Sequence, residues 1–419
     1  MDENRQAILL LSAQFSAPDK GVPTPLTTME YGRFAAWLRQ TGAQPRDLFY
    51  RFDALLQHWQ DPKGKVTTER LQYLLGRGMA MGLAIEKWQS AGIWILTRSD
   101  REYPACLKKR LGEAAPAVLF GVGQKRLLNA GGLAVVGSRN IVDEDLMQTQ
   151  LVAKQAASEG INLVSGGARG VDETAMLSAL EVEGTALGIL ANDLFKSALA
   201  GKWRKYLKSG QLALVSPFYP EARFHVGHAM GRNKYVYCLS DHALVIHCEE
   251  GSGGSWAGAT ENLRKNWVPL FVKKQQNASG NSALIEQGAY IMDIPMNGAA
   301  TDKDWLTQQV SFLARDKDTS VVQRDKNSVG RHLETSKEID VTDLVSSYAD
   351  FIKFVTTLLS QQEQIKFSEL KILKKDLKDK QLKEWLDQSV QSGDLKRHGR
   401  SRTYSFGRLG AKQADLFSE

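Results

Sequence analysis

The sequence predicts an α/β protein built on a parallel sheet, with a helical N-terminal domain and a C-terminal winged-helix domain. Three observations carry that prediction. From residue 91 to about 300, short apolar runs alternate with helical stretches, the rhythm of right-handed βαβ units covered on both faces. Before this region, apolar residues recur at three- and four-residue steps. After it, three short helical segments lead into a basic β-hairpin, the winged variant of helix-turn-helix.

The N-terminal block, 1–90, is helical because "EYGRFAAWLRQTG" and "ERLQYLLGRGMAMGLAIEKWQSAG" each close an amphipathic pattern with glycine. The glycines of "GRGMAMG" split the second into a helical hairpin. The central block, 91–297, places strands at Gly92–Leu96, Leu133–Val136, Asn162–Val164, Thr185–Leu190, Leu212–Val215, Ala243–His247 and Pro269–Val272. Residues 298–340 are polar and turn-rich and read as a linker with one weak helix. In 341–408, "DFIKFVTTLLSQQ", "FSELKIL" and "KDKQLKEWLDQSVQSG" are the three helices and "DLKRHGRSRTYSF" is the hairpin. Residues 409–419 read as an exposed tail.

Composition narrows the function. The chain has 419 residues, 42% apolar and 24% charged, which suits several soluble domains. No apolar run reaches a membrane span, and "MDENRQAILLLSAQF" lacks the features of a secretory signal. The three cysteines form no C-x-x-C pair, which fits a reducing cytoplasm without a cysteine-based zinc site. A net charge of +7 permits a polyanion partner without demanding one.

Four stretches carry the chemistry. In "GLAVVGSRN", 132–140, a strand runs into Gly137-Ser138-Arg139. Amides at the C-terminal edge of a sheet and an arginine fork suit a phosphate. In "LVSGGARGVDETAM", 163–176, the loop holding Ser165, Gly166, Arg169 and Gly170 matches neither Walker A nor the dinucleotide fingerprint. Its glycines let amides approach an oxyanion, and Asp172 reads as the N-cap of the next helix. "GRNKYVYCLSDHALVIH", 231–247, brings Arg232, Asn233 and Lys234 ahead of a strand. "EEGSGGSWAGATENLRK", 249–265, opens a helix with Ser252 and Gly253 in a phosphate-sized loop. Tyr235, Tyr237 and Trp256 offer stacking faces, although core packing is the better reading for any one of them. His225 and His228 stand at i, i+3 with no third ligand, so no metal site is expected.

The order of these four stretches, followed by "NSALIEQGAY" and preceded by "DREYPACLKKRLGEAAPAVLFGVG", resembles the DprA/Smf family of bacterial DNA-processing proteins. The resemblance covers roughly 93–292. It implies an extended Rossmann-like fold that binds single-stranded DNA in a basic pocket, forms a homodimer and helps load a RecA-type recombinase. It implies neither catalytic residues nor a cofactor. The pocket positions it implies are Gly137, Ser138, Arg139, Ser165, Gly166, Arg169, Gly170, Arg232, Asn233 and Lys234. The family's Asn-Phe-Pro-x-Arg-Asn is replaced by "HAMGRN", His247 replaces an acidic strand-end residue, and "ANDLFKSALAGKWRKYLKSG" is unusually basic.

Two further sites are expected. Lys396, Arg397, Arg400 and Arg402 crowd the wing, which suits duplex phosphates or a protein partner. Gln413, Leu416 and Phe417 resemble the Gln-x-x-Leu-Phe peptide that binds bacterial sliding clamps. Two other functions stay open. One is a regulatory, antitoxin-like partner in a phage-defence or toxin cassette. The other is a small-nucleotide hydrolase or sensor of the phosphoribohydrolase-like class, with Glu261 as its acid.

Overall fold

The structure is a computed structural model. It describes residues 2–17, 19, 21–274, 279–295 and 304–311, and short stretches beyond them, chiefly 379–391, 395–398 and 403–406. The chain divides into two units, Met1–Asn327 and Ser328–Glu419.

The first unit opens with five helices: α1 (Glu3–Ser12), α2 (Thr28–Gln40), α3 (Phe52–Leu56), α4 (Thr68–Leu75) and α5 (Gly78–Ser90). Thr27 and Glu30 form a capping box on α2, and α4 and α5 part at Gly76-Arg77. Then come β1 (Trp94–Thr97), α6 (Ala105–Leu111), β2 (Val118–Gly123), β3 (Leu133–Val136), α7 (Asp143–Ser158), β4 (Leu163–Ser165), α8 (Val171–Glu181) and β5 (Ala186–Ile189). These are followed by α9 (Leu194–Leu199), α10 (Gly201–Ser209), β6 (Leu212–Ser216), α11 (Val226–Cys238) and β7 (His242–Val245). The set closes with α12 (Gly253–Lys265), β8 (Leu270–Lys273), α13 (Ser279–Glu286) and β9 (Tyr290–Met292).

The nine strands form one sheet in the order β1-β2-β6-β5-β4-β3-β7-β8-β9. From β6 to β9 every pairing is parallel. The sequence predicts a wholly parallel sheet, but β2 runs antiparallel to both β1 and β6. The apolar-run pattern does not predict β2 or β9. Gly121 interrupts the apolar run of β2 and has a packing role: a Cβ there would come within 2.5 Å of the Trp94 ring on the paired strand.

Side chains alternate between the two faces of the sheet. Leu133 and Val135 join the core shared with α7, α8, α10 and the N-terminal helices. Ala134 and Val136 join the core shared with α6, α11, α12 and α13. Trp88 of α5 is fully buried against Phe120 of β2, with ring centroids 5.0 Å apart, which fixes the N-terminal helices to the antiparallel edge. Within the expected linker, residues 305–311 are helical. Trp305, Leu306 and Val310 are buried, and the Glu159 carboxylate at the end of α7 accepts the Leu306 and Thr307 amides at 3.1 and 2.7 Å.

In the second unit, the helix Asp379–Gln391 buries Leu382 and Leu386, and β10 (Ile365–Lys366), β11 (Leu395–His398) and β12 (Thr403–Phe406) form an antiparallel sheet in the order β10-β12-β11. Lys396 is exposed on β11, and Arg397 is the next residue of that strand. Arg400, Arg402 and the tail residues Gln413, Leu416 and Phe417 lie outside the described residues.

Candidate functional site

Strand order determines where a ligand can bind. From β3 the chain crosses through α7 to β4 on one side, and from β6 it returns through α11 to β7 on the other. The loops after β3 and β7 therefore diverge, and the crevice between them is the topological switch point of the sheet. A cavity of about 460 Å³ lies there. It is walled by residues 136–140, by Ala168 and Asp172, by one face of α11, and by the loop leading into α12.

Of the predicted residues, Gly137, Ser138, Arg139, Arg232, Asn233, Ser252 and Gly253 line this cavity. Ser165, Gly166, Arg169, Gly170 and Lys234 do not, and each has an identifiable alternative position. Ser165 is buried, with its hydroxyl donated to the Val135 carbonyl at 2.6 Å. Gly166 makes room for Arg232: a Cβ there would overlap the guanidinium. Gly170 takes φ +91° against the first turn, where a Cβ would lie 2.6 Å from the Ser138 carbonyl oxygen. Arg169 is exposed beside the cavity. On α11, residues 229, 232, 233 and 236 share the cavity face, while Lys234 turns away, with its ammonium 5.0 Å from the Tyr235 ring centroid.

Two amide-based expectations are also corrected. The Ser138 N–H is donated to the His247 carbonyl at 2.9 Å and so does not face a ligand. Asp172 is not the N-cap of α8; Gly170 is. The amides of Gly166 and Ala168 instead face the Asp172 carboxylate and offset part of the cost of its burial.

The anion-binding capacity that remains comes from side chains and from a different helix. The first turns of α7 and α8 carry their own acids, Asp143, Glu144 and Asp145 on one and Asp172 and Glu173 on the other. The first turn of α12 carries none, and its N-terminal residues line the cavity. Ser255 ties this turn to the first loop by donating to the Gly137 carbonyl at 2.7 Å, and Asn233 donates to the Gly254 carbonyl at 2.9 Å. Arg232 is 5% exposed and pairs loosely with Asp172 at 3.7 Å. Burial raises the Asp172 carboxyl and lowers the Arg232 guanidinium, so each charge is only partly compensated by the other. The Arg232 Nε is buried without a hydrogen-bond partner. A buried donor left open beside a cavity is costly unless a ligand completes it.

The cavity rim has a feature that sequence reasoning missed. Phe224 is 52% exposed, with the Arg139 guanidinium 5.4 Å from its ring centroid. Val226 and Met230 are exposed beside it. The available signal was a phenylalanine and a valine in the polar stretch "EARFHVGH". By contrast, Tyr235 and Tyr237 are core residues, and Trp256 packs against the same core. His225 caps α11 by accepting the Gly227 amide, and His228 stacks on Phe218 at 4.2 Å. Glu261 lies outside the cavity lining, so the hydrolase reading loses its acid.

The sequence model of the family described as DNA recombination-mediator protein A matches residues 94–298. That segment carries the DprA/Smf domain. Among its relatives, the DNA processing protein DprA of Bacillus subtilis is 28% identical over 214 residues, 48% of this chain and 69% of that protein. Protein Smf of Escherichia coli is 29% identical over 186 residues, 43% of this chain and 49% of its own length. The chain thus spans about half of that Smf protein. The X-ray structure of DprA from Streptococcus pneumoniae shares the fold, with a TM-score of 0.50 at 19% identity, covering 68% of this chain and 99% of the other. No helix among the described residues is long and apolar enough to cross a membrane.

Proposed function

We propose that this DprA/Smf protein is a non-catalytic, cytoplasmic mediator that binds single-stranded DNA at the switch-point cavity. A backbone phosphate sits between the N-terminus of α12, Arg139 and the open Nε of Arg232, and a base rests on Phe224. The observation that carries the reading is the buried, unpartnered Arg232 donor beside the acid-free helix end. Gly137, Ser138, Asn233, Ser252 and Gly253 shape this site; Gly166 and Gly170 support it from behind. The family resemblance adds a homodimer and a RecA-type recombinase partner. Duplex contact through Lys396 and its wing neighbours, and clamp contact through the tail, belong to the same proposal.

The test is fluorescence anisotropy of a labelled oligothymidine against a duplex over a salt series, with wild type and Arg139→Ala. Single strands bind more tightly than duplex, and log affinity falls linearly with log salt. Arg139→Ala weakens single-strand binding and makes the slope shallower by roughly 0.7, the share of one phosphate contact. Equal binding of both forms, unchanged by the substitution, refutes the assignment.

A further inference from the structure

The basic segment that departs from the family pattern forms a surface of its own. Between Leu194 and Gly210 the sequence has five cations, Lys196, Lys202, Arg204, Lys205 and Lys208, and no acid. Trp203 and Tyr206 anchor α10 in the core, and all five cations are exposed. A solvated helix face normally mixes both signs. Here the single acidic partner within 4.0 Å, among the described residues, is Glu173, which meets Lys202 at 2.6 Å. Lys208 complements the C-terminal end of α10, a role one cation fills. Lys196 stands likewise in the last turn of α9, and the Lys205 ammonium lies 4.4 Å from the Tyr206 ring centroid. That leaves Arg204 without such a contact and the exposed charge of α10 in excess of what the fold needs.

The Lys202–Glu173 bond also places the patch. Glu173 is in the first turn of α8, next to Asp172, which walls the cavity. Exposed Arg169 precedes both in the same loop, next to cavity-lining Ala168. Cations therefore continue from Arg139 at the cavity through Arg169 and Lys202 onto α10, a helix of about 13 Å by its nine residues.

We propose that α10, entered through Arg169, is a second phosphate track that carries a single strand away from the cavity. This inference rests on the single-strand reading of the cavity and extends its site. Cationic grooves that follow a flexible backbone without reading sequence are the general means of holding single strands.

The test compares an oligothymidine of about five nucleotides, enough for the cavity, with one of about thirty. The variant Arg204→Gln/Lys205→Gln/Lys208→Gln is read beside Arg139→Ala. A charge-matched control, Arg46→Gln/Lys63→Gln/Lys65→Gln, removes three exposed cations from the N-terminal helical region. All are checked for unchanged thermal unfolding. The α10 variant loses roughly tenfold or more in affinity for the long strand, and its salt slope becomes shallower by about 2, three contacts at 0.7 each. Its affinity for the short strand stays within about twofold, and the control variant behaves like wild type. If Arg139→Ala weakens both strands while the α10 variant weakens neither, the track is refuted and the cavity stands. Equal losses from the α10 and control variants also refute it, because bulk charge is then the cause. If wild type binds neither strand, the cavity reading falls and takes the track with it.

Discussion

Gly166→Ala isolates the packing on which the site depends. Gly166 does not have a positive φ, so its backbone accepts alanine without strain. The added Cβ, however, would overlap Nη1 of Arg232 and lie 2.5 Å from Nη2. The guanidinium is the end of a long side chain, so it moves and the backbone does not. Its displacement breaks the 3.7 Å contact with Asp172, worth about 4 kcal/mol of attraction at an effective dielectric of 20. Rehydration of the guanidinium returns part of this, and Asp172 keeps its two loop amides, so the net loss is about 2 kcal/mol, below the 3–5 typical of a fully orphaned charge. Urea unfolding of Gly166→Ala, Arg232→Ala and the double variant measures it. In the Arg232→Ala background there is nothing left to displace, and Gly166→Ala costs under about 0.5 kcal/mol. A full cost in both backgrounds refutes the idea that Gly166 is glycine for the sake of Arg232.

Three other outcomes follow from the same geometry. Phe224→Ala weakens oligothymidine binding by about 1–3 kcal/mol with an unchanged salt slope, read by anisotropy, and leaves the melting temperature alone because the ring is half exposed. Lys273→Met strands Asp145, which the lysine holds at 2.6 Å with both groups buried, and lowers unfolding free energy by about 3–5 kcal/mol; adding Asp145→Leu recovers most of it in denaturant melts. Single-strand affinity rises as pH falls through the raised range of Asp172, because protonation removes the anion facing Arg232, and Asp172→Asn flattens that profile. The sign for stability agrees: with the folded carboxyl raised, its contribution is fully present below the unfolded value and is lost as pH rises through the folded one.

The parallel half of the sheet was legible because its strands are uninterrupted apolar runs ending at glycine, as in Leu133–Val136 before Gly137. Strand β2 was not, because Gly121 breaks the run and its reason, the Trp94 ring, sits on another strand. The site was legible as a set of loops but not as a set of roles. Glycine-rich loops at strand ends signal a close approach, yet sequence does not say what approaches. At Gly166 it is Arg232, and at Gly170 it is the backbone of the neighbouring turn. Asp172 shows the same difficulty. Next to a glycine it has the chemistry of an N-cap, and only the fold shows that it reaches back to two loop amides. Phe224 was passed over because an isolated aromatic in a polar stretch carries no periodicity; its exposure and the arginine over its ring are tertiary facts.

These reassignments change the kind of site the switch point holds. A dinucleotide fold binds pyrophosphate through loop amides, which fix one phosphate group in one orientation. Here the Gly166 and Ala168 amides face Asp172, and the Ser138 amide is donated to the His247 carbonyl. The remaining donors are Arg139 at the rim, Arg232 in the wall and the α12 terminus, three groups from three separate elements. Two of them are arginine side chains, which accept a phosphate over a wider range of positions than a fixed amide nest. Such a set suits a repeating anion that can shift along its own backbone, and fits poorly with a small cofactor that has to sit in one place. The exposed Phe224 beside it favours stacking in the same way, since every base has a face to offer and none is read by hydrogen bonds.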